Sequence, residues 1–313
     1  MKIYFSIDEI PRQKNSILTI GTFDGIHLGH RKIIDELVRR AQKKKVRSVL
    51  ITFSPHPQTV LKTRKPVVKL LTTVEEKIEI LDGLGMDVMF VIPFSLEIAR
   101  MEPLDFVKEI VVRYVGVSEF IIGYNHAFGK ERKGEKGLLQ EAGKRFGFSV
   151  DVVPPVEIAG KTVSSTRIRN LLAQGRIREA NSLLGRNYSL EGRVVRGNHL
   201  GREIGFPTAN IRVMDENKLV PSDGVYAVFV HIGEEKYTGM MNIGFKPTVA
   251  GTQRSMEIHI HDFSGDLYNH RLKIECVDRI RNEIRFDSVN TLASQMAADK
   301  EKSIALLSKH FRR

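Results

Sequence analysis

The chain has a single cysteine, Cys276, and no tryptophan among its 313 residues. A lone thiol has no internal disulfide partner, so the fold must rest on buried apolar surface, and a reducing compartment, the cytoplasm, is expected. No apolar run approaches the ~20 residues of a membrane span. Met1 to Arg12 lack the positive-then-apolar layout of a signal peptide, and no membrane partner is expected. Repeats and low-complexity tracts are also missing. Negative charge is in the minority, with 37 Asp and Glu against 49 Lys and Arg, a net charge of +12. That excess raises nucleic acid as a partner, with the run Arg39 to Lys45 as its contact. The run lacks interleaved aromatics for base stacking, however, and sits at the end of a predicted helix, where cations meet the C-terminal dipole. Substrates carrying several negative charges explain a basic surface more simply, so no nucleic acid is expected.

Two common phosphate cradles are absent as well. Gly129 and Gly134 have Walker A spacing, but Glu135-Lys136 follow in place of Lys-Ser or Lys-Thr, and Gly83-Leu84-Gly85 does not complete a dinucleotide fingerprint. What stands instead is Gly21-Thr22-Phe23-Asp24-Gly25-Ile26-His27-Leu28-Gly29-His30. It follows an apolar strand candidate, Ser16 to Ile20, and opens a helix candidate, Gly29 to Ala41, with Ile33, Ile34, Leu37 and Val38 on one face. A helix N-terminus attracts phosphate, two imidazoles donate to charge building on phosphorus, and Gly29 permits close approach. This pattern points to cleavage of ATP at the α-phosphate, although paired histidines at a strand end also serve as structural groups or metal ligands. A second segment, Val163-Ser164-Ser165-Thr166-Arg167-Ile168-Arg169, places hydroxyls ahead of an amphipathic stretch. Alone it reads equally as an ordinary N-cap; the pairing of the two segments makes it a phosphate clamp.

With G-x-F-D-G-x-H-x-G-H and S-S-T-x-I-R both unbroken, the chain resembles the bacterial bifunctional riboflavin kinase and FAD synthetase family. The stretches Thr52-Phe53-Ser54-Pro55-His56-Pro57 and Gly123-Tyr124-Asn125-His126-Ala127-Phe128-Gly129 are similar to that family too. The second departs from it, with Asn125-His126-Ala127 where members often carry Asp-Phe-Arg. An amide at 125 is expected to hydrogen-bond flavin or phosphate oxygens and not to hold metal. The resemblance implies that His27, His30 and Arg167, with the hydroxyls of Ser164 and Thr166, stabilise charge on the nucleotide. It implies binding roles for Gly21, Phe23, Asp24, Gly29, His56, Asn125 and Ser165.

The second half continues the match through Gly201-Arg202-Glu203-Ile204-Gly205-Phe206-Pro207-Thr208-Ala209-Asn210, similar to the P-T-A-N signature of flavokinases. An isolated P-T-A-N reads as a Pro-led turn. In the family, Thr208 and Asn210 imply a magnesium ion on ATP phosphates, consistent with that ion's preference for oxygen donors, and Gly205 a binding role. Glu257, in Glu257-Ile258-His259-Ile260-His261-Asp262-Phe263, suits a base acting on a primary alcohol. Period-two spacing puts Glu257, His259 and His261 on one strand face, so a metal site competes with a solvated edge. His261 replaces an apolar residue usual in the family, and Arg281 is a candidate flavin contact.

Strand candidates at Ser16 to Ile20, Val49 to Phe53, Val88 to Ile92, Phe120 to Gly123 and Ser149 to Val153 alternate with helices at Gly29 to Ala41, Val74 to Leu84, Pro103 to Tyr114 and Gly134 to Phe146. Alternation of this kind predicts a parallel sheet, and the resemblance makes it a Rossmann-like nucleotidyltransferase domain over residues 1–184. Ligands there sit beyond the strand C-termini, where His27, His56 and Asn125 fall. After helices at Ile168 to Leu172 and Ile177 to Leu184 come strands at Arg193 to Val195, Val225 to Ile232, Lys236 to Asn242, Met256 to His261 and Leu272 to Val277. They predict a small closed barrel, the flavokinase type, over residues 185–313, with a terminal helix from Ser288 to Leu307. The expected chemistry is ATP-dependent phosphorylation of riboflavin to FMN, then adenylylation of FMN to FAD. Another H-x-G-H nucleotidyltransferase and a non-catalytic flavin- or nucleotide-binding regulator are the alternatives.

Overall fold

A computed structural model describes residues 1–61, 68–124, 136–197, 201, 205–248 and 251–311. The expectations on Asn125, Gly129 and Gly134 fall outside the described residues. The chain divides into two compact units, Met1–Ser165 and Thr166–Arg313.

The first unit is built on six strands, β1 (Lys2–Tyr4), β2 (Ser16–Ile20), β3 (Ser48–Ser54), β4 (Val88–Pro93), β5 (Val117–Gly123) and β6 (Ser149–Val153). All pair in parallel, in the order β1-β4-β3-β2-β5-β6. Their apolar residues face alternately to the two sides. Ile17, Leu50, Met89, Val91 and Ile121 pack against α1 (Leu28–Lys44) and α3 (Val74–Gly83), with α2 (Pro57–Val60) between them in the chain. Leu18, Ile20, Val49, Ile51, Phe90, Ile92, Phe120 and Ile122 pack on the other side. That side is covered by α5 (Pro103–Phe106), which runs on into a π-helical stretch Val107–Val115, and by α6 (Lys136–Phe146); α4 (Leu96–Arg100) precedes them. The predicted regular helix from Pro103 is therefore wider over most of its length. Strand order reverses between β2 and β5, which opens a crevice at their C-terminal ends, and the loop Gly21–His27 leaves β2 there. The basic run on α1 is tied down: Arg39 and Arg40 bond to Glu36, Arg40 also to Asp151, and Lys44 to Glu119. A short hairpin, β7 (Glu157–Ile158) and β8 (Lys161–Thr162), precedes the junction.

The second unit is a closed antiparallel barrel, β10-β13-β12-β11-β14-β9. Its strands are β9 (Tyr188–Val195), β10 (Ala209–Val213), β11 (Gly224–Ile232), β12 (Glu235–Thr248), β13 (Gly251–Ile260) and β14 (Arg271–Arg281). Tyr226, Val228, Met241, Ile243, Ile258, Ile274 and Cys276 are fully buried and alternate with the outer set Val225, Ala227, Phe229, Met240 and Val277. That outer set packs beneath Leu307 of α9 (Val289–Phe311). Burial pushes the Cys276 thiol up to about 12, so it remains a protonated core group. Helix α8 (Ile177–Leu184) packs with β14 and β9 of this barrel, and α7 (Ser165–Ala173) precedes it in the chain. Ser222 N donates to Leu172 O at 3.1 Å, and the Asn181 amide donates to Cys276 O at 2.9 Å while accepting from Tyr188 N at 2.8 Å. Strand β10 was not expected from the sequence, where Pro207 to Asn210 reads as a turn. Pairing with β9 and β13 draws Asn210 into the barrel wall. No helix among the described residues is long and apolar enough to cross a membrane.

Candidate active sites

In the first unit the loop after β2 folds on itself through three left-handed residues, Phe23 (φ 45°), Gly25 (φ 88°) and Ile26 (φ 35°). A β-branched residue at positive φ is strained, by about 1–3 kcal/mol, so the surroundings must over-determine it. They do so through Asp24, whose buried carboxylate accepts from Leu71 N at 2.9 Å and Thr72 N at 3.0 Å. Gly25 N donates to Thr72 Oγ1 at 2.8 Å, and Thr52 Oγ1 donates to Thr22 O at 3.1 Å. Asp24, expected as a nucleotide-binding residue, thus has its carboxylate bonded to the Leu71 and Thr72 backbone and holds the loop. Asp24→Ala would strand two buried N–H groups. The expected cost is about 3 kcal/mol, read as an earlier urea midpoint by circular dichroism, with part recovered in Asp24→Asn.

This loop delivers His27 to the N-cap of α1, where its Nδ1 accepts from His30 N at 3.3 Å. An accepting Nδ1 leaves the proton of the neutral ring on Nε2, which becomes a donor. The His27 and His30 rings stack at 3.7 Å and 15°. Phe23, 4% exposed, meets His30 edge-on at 5.1 Å, and so it supports the ring. At Gly29, where close approach of nucleotide is expected, a Cβ would also sit 3.1 Å from the His27 ring, so the glycine leaves room for that imidazole. Gly21 likewise leaves room for Phe23, 3.1 Å from its would-be Cβ. His56 caps α2 by accepting from Gln58 N at 3.2 Å. Ser165 Oγ donates to Asp24 O at 2.8 Å, bracing the same loop, and Ser164 precedes it. Thr166 and Arg167 lie on α7 in the second unit.

In the second unit, register places Asn210 of β10 opposite Glu257 of β13, with Asn242 of β12 on the other flank. Thr208 Oγ1 donates to Glu257 Oε2 at 3.4 Å. Because the hydroxyl proton points at the carboxylate, the threonine lone pairs face elsewhere. Thr208 and Asn210 carry a hydroxyl and an amide oxygen, donors of the kind a magnesium ion selects. Gly197, unremarked in the sequence, and Gly201, the first residue of the flavokinase-like stretch, matter here: a Cβ on Gly197 would overlap the Asn210 amide, and one on Gly201 would lie 3.3 Å from Thr208 Oγ1. Gly205 (φ 78°) turns the chain into this segment.

Glu257 and His259 lie on β13 with His261 one residue past its end, and the three do not form a metal centre. His261 is bonded at both nitrogens, to Thr238 Oγ1 at 3.2 Å and to Ser303 Oγ of α9 at 3.1 Å. No group of three metal-binding side chains occurs among the described residues. Burial, then His259 and Lys300, push the His261 imidazole down to about 4. The unfolded ring titrates near 6.5, so its contribution to stability is whole above pH 6.5 and fades as pH falls toward 4. His261 should account for about 2 kcal/mol of the difference in barrel stability between urea unfolding at pH 7 and pH 5, a share that His261→Gln removes. Arg281, expected as a candidate flavin contact, has its guanidinium paired with the buried Asp299 at 2.8 Å and donates to Asn282 O at 2.9 Å, fastening β14 to α9.

A family model described as FAD synthetase matches residues 9–167, and one described as riboflavin kinase matches residues 184–307. The bifunctional riboflavin kinase/FMN adenylyltransferase of Listeria monocytogenes is 36% identical over 297 residues, 94% of this chain and 93% of that protein. The protein of the same description from Escherichia coli is 36% identical over 289 residues, 92% of this chain and 91% of its own. A crystal structure from Streptococcus pneumoniae, described as a macrolide-efflux protein, superposes with a TM-score of 0.86 at 32% identity, covering 96% of this chain and 98% of the other.

Proposed function

Since the chain belongs to the bifunctional riboflavin kinase/FMN adenylyltransferase family, we propose that it converts riboflavin to FAD in two ATP-dependent steps at separate sites. The support is a carboxylate on β13 bonded to a hydroxyl just before β10 in one unit and a stacked histidine pair at a helix N-terminus in the other. The adenylyltransferase corresponds to residues 1–184 and the kinase to 185–313, a functional boundary offset from the packing boundary at Ser165 and Thr166.

In the kinase, Glu257 orients the terminal ribityl hydroxyl of riboflavin and takes its proton as the oxygen attacks the γ-phosphorus of ATP, giving FMN and ADP. Thr208 and Asn210 would hold magnesium, which would supply charge neutralisation on the phosphates when bound. The Thr208 hydroxyl also fixes the Glu257 carboxylate.

In the adenylyltransferase, a phosphate oxygen of FMN attacks the α-phosphorus of a second ATP, forming FAD and releasing pyrophosphate. The nucleophile needs no base, since a phosphate monoester with a second pKa of about 6 is already largely dianionic. The obstacle is repulsion between anions. The His27 Nε2–H, the His30 ring and the N-terminal amides of α1 offset it by donating to the nucleotide phosphates, with Ser164, Thr166 and Arg167 assigned to the same step by their motif. His56 and Asn125 remain proposed binding residues, and the lone buried Cys276 suits a reducing, cytoplasmic setting.

Incubation with riboflavin, ATP and magnesium, with flavins resolved by chromatography, tests the reading. FMN followed by FAD is expected. Tight flavin binding without turnover would favour a regulator, and indifference to flavin another nucleotidyltransferase.

A further inference from the structure

His259 lies on β13 two residues beyond Glu257 and has 7% of its surface exposed. Its Nδ1 is 2.9 Å from the carbonyl oxygen of Pro207. A carbonyl can only accept, so Nδ1 carries the proton and donates it. The ring is further fixed edge-on against Phe206, at 5.3 Å. Nε2, buried and with no hydrogen-bond partner among the described residues, is then a bare acceptor. Burial lowers the imidazole's proton affinity, which keeps the ring neutral and the donor at Nδ1. Pro207 cannot itself donate to a barrel ladder, and it immediately precedes Thr208. The His259 bond is thus a transverse tie between β13, which carries Glu257, and the start of the segment that carries Thr208 and Asn210.

We propose that His259 is a positioning residue of the kinase: its Nδ1–H holds the Pro207 carbonyl and thereby sets where Thr208 and Asn210 stand relative to Glu257. The inference rests on the kinase reading of this site. It assigns His259 no contact with substrate. Its effect appears in the binding of ATP with magnesium and in phosphoryl transfer, and leaves riboflavin affinity alone.

The test uses the full-length chain with three substitutions. His259→Phe keeps an aromatic ring and loses the donor. His259→Asn presents an amide N–H near the Nδ1 position, and His259→Gln presents it near Nε2. Steady-state riboflavin phosphorylation, riboflavin binding by quenching of flavin fluorescence, and adenylylation of supplied FMN are measured for each. His259→Phe is expected to raise KM for ATP about tenfold and to lower kcat, the effect of a lost buried hydrogen bond. Riboflavin affinity and FMN adenylylation should stay at the wild-type level, and His259→Asn should recover to within about threefold. A wild-type KM and kcat in His259→Phe would overturn the proposal. If His259→Phe also loses adenylylation through misfolding, the amide pair decides: Asn better than Gln supports the tie, and equal constants overturn it. A wild-type chain that fails to phosphorylate riboflavin would overturn the kinase reading and this inference together, whereas an active wild type with an unaffected His259→Phe overturns this inference alone.

Discussion

His30→Ala should lower FMN adenylylation by about 10²–10³-fold in kcat while riboflavin phosphorylation continues at its wild-type rate. The loss follows from placement. His30 lies in the first turn of α1, its ring stacked on His27 and backed by Phe23, so it is a pre-ordered donor at a helix end already suited to anions. Removing it takes away a donor and unseats the His27 ring. The backbone N–H of residue 30 that His27 Nδ1 accepts survives in alanine, which limits the change to the site. Separate assays with riboflavin and with FMN as the flavin substrate check this, with a urea midpoint near wild type to establish folding.

Glu257→Gln should do the reverse, lowering riboflavin phosphorylation by about 10²–10⁴-fold while supplied FMN is still adenylylated. Glutamine keeps the length and an acceptor for Thr208 Oγ1, so the β10–β13 wall stays intact and the missing element is the base. Phosphorylation that recovers as pH rises would argue that hydroxide replaces the carboxylate, in agreement with the assignment. An unchanged rate would remove Glu257 from the chemistry.

Period-two and 3.6-residue patterns made the sheet and its covering helices legible, because Ile17, Leu50, Met89 and Ile121 pack on one side and their neighbours on the other. The histidine pair was legible for a similar reason: strand, glycine turn and helix N-terminus are local, and chemistry at a helix end can be inferred from adjacent residues. Longer-range roles were not legible. Asp24 sits inside the nucleotide motif, yet its partners Leu71 and Thr72 come 47 and 48 residues later, and only the fold shows that its carboxylate serves the backbone. Arg281 finds Asp299 on another element, 18 residues away, and His259 reaches Pro207 across 52 residues. Asn210 read as part of a turn because Ala-Asn-Ile-Arg-Val alternates weakly, and its strand state is imposed by Val195 and Glu257 on either side.

The independence of two active sites in one chain is tested most directly by mixing. His30→Ala and Glu257→Gln, each incubated alone with riboflavin, ATP and magnesium, should yield no more than trace FAD, the first accumulating FMN and the second leaving riboflavin unconverted. Combined in equal amounts they should produce FAD, because FMN made by one chain is adenylylated by the other. Substantial FAD from either variant alone, or none from the mixture while both half-reactions persist, would contradict the account.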